Sequence, residues 1–230
     1  QMGVFQQPSK EIRMSHALHR HGTTEQLQND YTFYARASRY VNRDGCGPKL
    51  RKILSIALEE KNLVNYGSSQ AGKSFKAGLK PDEYAATLDK AYGVAGCFSD
   101  KEAVRSLLKK LKEADTGISI VISGLIDEIV EIARGLDLKP HTAFLSLGVH
   151  GKRSLLPEDE VQQITTMCGH GMVAAKLSKA VIGRVKSGKM TPEAGAHLLA
   201  QPCPCGIFNT DRCEAILKEL KESSPADAKS

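Results

Sequence analysis

Apolar and polar positions along this 230-residue chain follow three successive patterns. In residues 1–80, Thr23-Thr24-Glu25-Gln26 reads as a capping box, and Leu27, Tyr31, Tyr34, Ser38 and Val41 then recur at helical spacing until Asp44-Gly45 interrupts them. This predicts a first helix. A second is expected over 48–61, where Ile53, Leu54, Ala57 and Leu58 form an apolar stripe, and the glycine- and serine-rich stretch 67–78 reads as a loop.

Residues 81–155 alternate between two periods. The apolar run 94–98 reads as a strand, and Ser99 with Glu102 forms a second capping box. Val104, Leu107, Leu108 and Leu111 carry the helix that follows. The β-branched run 118–122 is bounded by Thr116-Gly117 and Ser123-Gly124 and predicts a strand, followed by a helix over 125–136. A third strand is expected over 142–149. Strand, helix, strand, helix, strand at this spacing implies right-handed crossovers. The expected fold is therefore α/β (or α+β), with a small three-stranded, mostly parallel sheet.

Residues 156–222 return to helical periodicity over 157–166, 172–187, 192–199 and 210–221. Pro157 and Pro192 sit where a first helical turn tolerates proline. Residues 223–230 read as a mobile tail. The expected organisation is a helical N-terminal region, an α/β core, a helical cysteine-rich region and that tail.

Composition narrows the classes. Hydrophobic residues at 41%, charged residues at 25% and a mean hydropathy of −0.29 exclude a wholly disordered, collagen-like or membrane-embedded chain. The excess of 32 Lys+Arg over 26 Asp+Glu is mild and scattered, so nucleic acid is not an expected partner. Residues 1–15 show no secretory pattern and no apolar run reaches about 20 residues. A cytoplasmic protein with no membrane contact is expected, and in a reducing compartment cysteines serve metals or catalysis more often than disulfides.

Four of the six cysteines, Cys168, Cys203, Cys205 and Cys213, fall within residues 168–213. Four thiolates are the number that closes a tetrahedral zinc site or holds a 4Fe-4S iron–sulfur cluster. Cys203-Pro204-Cys205-Gly206 is a C-x-C pair in a proline-stiffened turn, and Cys168 lies in a glycine-flanked break between helices. Two C-x2-C knuckles, the commoner zinc pattern, are lacking, and so is the cysteine run of small ferredoxins; the single residue between Cys203 and Cys205 and the long separations favour an iron–sulfur cluster embedded in a larger fold, with zinc as the alternative and small buried hydrophobic cysteines as the bland reading. Cys46, in a glycine turn, is a candidate further ligand or reactive thiol, whereas Cys97 reads as core.

His150 follows the third expected strand and His170 lies beside Cys168; both are candidate general acids or bases, as ordinary turn histidines also would appear. His16, His19 and His21 could reach a metal from a loop. Ser123, at a strand end, and Lys73, in the loop, are candidate contacts for an anionic substrate. The stretch 67–74 matches G-x-x-x-x-G-K-[ST], but its flanks supply neither a strong strand nor a long helix, so nucleotide binding is a lesser expectation.

The expected function is that of an iron–sulfur enzyme working on a small polar or anionic metabolite by redox or Lewis-acid (lyase or hydratase) chemistry. An electron-transfer partner and a homo-oligomer are compatible with it. The alternatives are a zinc-stabilised binding or regulatory module without catalysis, and a nucleotide-binding enzyme.

Overall fold

The computed structural model describes residues 20–68, 70–143 and 149–223. Its described strands are β1 (Tyr31–Arg36), β2 (Leu63–Gly67), β3 (Gly93–Phe98) and β4 (Ser119–Ser123), joined in one sheet of order β2-β3-β1-β4. Every neighbouring pair is antiparallel. The class is α/β as expected, but the sheet is neither three-stranded nor mostly parallel.

The reason lies in β1. The stretch expected to be the first helix is helical only over α1 (Thr24–Leu27), whose capping box between Thr23 and Gln26 is present. The chain then extends, and Tyr31, Phe33 and Ala35 enter the core at period two. β3 and β4 do run in the same direction, because each is antiparallel to β1. They do not pair, since β1 lies between them.

With α2 (Gly47–Leu58) after β1, and α4 (Lys101–Ala114) between β3 and β4, the connectivity is the split β-α-β-β-α-β arrangement. The segment between β2 and β3 carries α3 (Pro81–Thr87). Asp100, rather than Ser99, caps α4: its side chain accepts from the Glu102 N–H. Beyond β4 come α5 (Ile126–Gly135), α6 (Asp159–Thr165), α7 (Ala175–Lys186), α8 (Pro192–Ala200) and α9 (Thr210–Glu222). Most of the third expected strand, residues 144–148, lies outside the described residues, as do residues 224–230; 142, 143 and 149 are irregular.

Two apolar cores flank the sheet. On one face Tyr31, Phe33 and Ala35 pack with Leu50, Ile53 and Ala57 of α2 and Val104, Leu107 and Leu111 of α4. On the other, Ala95 of β3 meets a core formed by α6 to α9, which contains Cys168, Cys203, Cys205 and Cys213. β3 is thus buried along its whole length. That explains why its sequence is a continuous apolar run rather than an alternating one.

A buried ionic cluster ties the helical layer to the sheet. Asp30, immediately before β1, accepts from Arg20 at 2.7 Å and from Arg212 of α9 at 2.7 Å, and Asn209 donates to it at 3.1 Å. Arg212 also reaches the carbonyl of His21 at 2.5 Å, and Arg20 that of Ile207. Burial works most strongly against the Arg20 charge, but Asp30 together with the Cys97 and Cys203 sulfurs outweighs it and holds the guanidinium above its ordinary pKa. Asn65 of β2 adds a further tie, donating to the Phe208 carbonyl at 3.2 Å.

Candidate functional site

The turn between α8 and α9 is pressed against the end of β2. Gly206 adopts φ 76°, and a Cβ there would collide with the backbone of Tyr66 and Gly67. Gly67 is in turn closed in by Pro204, Cys205 and Gly206. Only glycine satisfies both the left-handed backbone and this approach. Gly206→Ala is therefore expected to cost roughly 3 kcal/mol or more, read as a lower urea midpoint with an unchanged slope.

This docking brings three of the predicted cysteines and a histidine together. Cys203 Sγ and Cys205 Sγ stand 3.7 Å apart, and Cys205 Sγ lies 3.5 Å from His170 Nδ1. Cys168 hydrogen-bonds to Cys203 and to His170, closing a ring of four side chains. The three cysteines are buried and His170 is half-buried. Backbone N–H groups of Met172 and Phe208 donate to Cys168 and Cys203 respectively.

Without a metal the Cys168 and Cys203 thiols hold their protons. The hydrogen bond to Cys203, then burial, brings Cys168 up to about 12. In Cys203 the hydrogen bond from Cys168 favours the thiolate, but donation to Cys205 and burial prevail and bring it to about 12. The ring is thus a chain of mutual contacts: among the described residues no group of three or more His, Cys, Asp or Glu side chains is already arranged to hold a metal ion.

Cys213 takes no part in the ring's contacts. It lies inside α9 in the helical core, where burial raises its pKa and the neighbouring charges are Arg212 and Glu214. Cys46 sits in the core on the opposite face of the sheet, donating to the Ala91 carbonyl at 3.4 Å. Cys97 is buried on β3, and Arg20 acts on both its thiol and that of Cys203.

The remaining candidates lie elsewhere. His150 is exposed beside the undescribed residues 144–148. His21 pairs with Asp159 at 2.5 Å, while His16 and His19 lie outside the described residues. Ser123 ends β4 opposite Thr32, at the sheet end where β1 begins, whereas the cysteine turn docks where β2 ends. Lys73 is exposed in a loop whose ends are bridged by Gly67 and Ser74; only a short 3-10 turn, Phe75–Ala77, follows, so the long helix of a phosphate-binding loop is not there.

An open cleft of about 400 Å³ adjoins the ring at Cys168 and is lined by Thr165, Thr166, Gly171, Val173 and Ala174. His170 was legible in the sequence only as a neighbour of Cys168; its spacing, C-x-H, mirrors the C-x-C of the second arm. Comparison with family models, with curated proteins and with solved structures finds no match.

Proposed function

We propose that this chain is a zinc-stabilised binding module, in which Cys168, His170, Cys203 and Cys205 take one zinc ion and fasten the helical layer to the sheet. The observation that carries this reading is the spacing within the ring, 3.7 Å between the Cys203 and Cys205 sulfurs and 3.5 Å from Cys205 to His170. Thiolates bound about 2.3 Å from one tetrahedral ion stand about 3.8 Å from each other, close to the Cys203–Cys205 separation. A four-iron cluster places several metal atoms between its ligands and calls for a wider spread.

Two further features support the zinc reading. The Met172 and Phe208 N–H groups favour sulfur that carries negative charge. Three thiolates and a neutral imidazole leave one net negative charge on a divalent site, and the charge of Arg20 acts on Cys203. Four protein donors leave no open position, which is the arrangement of a structural rather than a catalytic zinc.

The test is metal analysis of protein purified without oxygen and reconstituted separately with zinc and with iron plus sulfide. One zinc per chain and no retained acid-labile sulfide is the expected result. Four irons with matching sulfide would overturn it in favour of an iron–sulfur enzyme.

A further inference from the structure

The end of β1 and the turn behind it form a surface that the metal site does not use. β1 ends on Arg36, and Arg39 and Arg43 follow within the next seven residues. Arg36 donates to the Tyr34 hydroxyl at 2.6 Å, and its guanidinium lies 5.0 Å from the centre of the Tyr92 ring. Arg43 lies 3.8 Å from the same ring, and Arg39 lies 5.5 Å from that of Tyr40. Tyr40 is 86% exposed and its neighbour Val41 81%.

We propose that this surface binds single-stranded nucleic acid, with Arg36, Arg39 and Arg43 meeting phosphates and Tyr40 stacking on a base. A guanidinium resting on an aromatic face loses less freedom when its planar fork takes a phosphate oxygen pair. An exposed ring beside such groups offers what a single strand needs, a stacking platform next to a cationic track. A duplex hides its base faces, and an acidic protein would use the charges but not the ring. Over the whole chain the basic residues are scattered and their excess is mild, but Arg36, Arg39 and Arg43 stand within eight residues. The fold gathers residues 34–43 with Tyr92, and the net charge of +6 favours approach of a polyanion.

The test is fluorescence anisotropy of the full chain with a labelled 12-nucleotide single strand, as RNA and as DNA, at 50 and 200 mM salt. Three phosphate contacts on a single strand predict a loss of affinity of about 20-fold between these concentrations. Combining Arg36→Ala, Arg39→Ala and Arg43→Ala should abolish binding, and Tyr40→Ala, at an exposed position where folding is not at issue, should weaken it about tenfold. Removing Lys176, Lys179 and Lys189 from the α7 side should leave it unchanged. Absence of binding at 50 mM salt, an unaffected Tyr40→Ala variant, or equal competition by polyglutamate would overturn the proposal. Because the surface does not use the cysteine ring, these outcomes are separate from the zinc measurement.

Discussion

Stripping zinc from the loaded protein is expected to lower its thermal midpoint by about 8–16 °C. With free zinc at a thousand times its dissociation constant, binding to the native state alone contributes about 4.1 kcal/mol. A chain of this size loses about 2–4 °C for each kcal/mol. The loss should be selective. The core around α2 and α4 contains none of the four proposed ligands, whereas Cys203 and Cys205 lie in the turn that docks on β2. Hydrogen exchange should therefore rise first in α8, α9 and the turn between them, and later in α2 and α4. Uniform loss of protection, or an unchanged midpoint, would contradict a structural zinc.

The second large effect is expected at Asp30. This carboxylate is 1% exposed and faces two guanidiniums, both nearly buried. Asp30→Asn keeps the shape but leaves Arg20 and Arg212 without a counter-charge, and breaking a buried ion pair from one side costs about 3–5 kcal/mol. The expected fall in thermal midpoint is about 6–20 °C. Glu59→Ala supplies the contrast: its pair with Lys110 at 3.1 Å is largely exposed, and its loss should change stability by less than about 1 kcal/mol. Equal effects of the two substitutions would mean that the buried cluster does not hold the helical layer in place.

Much of the fold could be read from the sequence because its helices are amphipathic and well punctuated. α4 shows its apolar stripe at Val104, Leu107, Leu108 and Leu111, and α8 starts on Pro192 behind the capping Thr191. β1 was hidden for a physical reason. Thr32 on its second face is buried by the helical layer, and Tyr34 is partly covered, so the alternation that marks a half-exposed strand is blurred. Tyr31 and Tyr34 happen to stand three apart, as helix neighbours do. Without β1 between them, β3 and β4, which run in the same direction, read as a parallel pair. β2 reads from its sequence as a short, half-polar strand at best because of Asn65 and Tyr66, although Asn65 is spent on Phe208 and Lys76.

The site was legible as a set of cysteines but not as a geometry. Cys203 and Cys205 share a turn, and one residue, Gly169, separates Cys168 from His170, so both arms are visible as short motifs. What joins the arms is the approach of Gly206 to β2 together with the packing of α6, α7 and α9, and no local pattern encodes that. Cys213 stands near the others in sequence, yet its place inside α9 follows from helical periodicity: Cys213, Ile216 and Leu217 form one buried face.

The most direct test of the zinc account is the metal content of two matched variants, Cys205→Ala and Cys213→Ala, each loaded with one equivalent of zinc and then dialysed. Cys205→Ala should retain much less than one zinc per chain, whereas Cys213→Ala should keep one and lose only core packing, seen as a modestly lower thermal midpoint. Full zinc in Cys205→Ala together with its loss in Cys213→Ala would contradict the ligand set formed by Cys168, His170, Cys203 and Cys205.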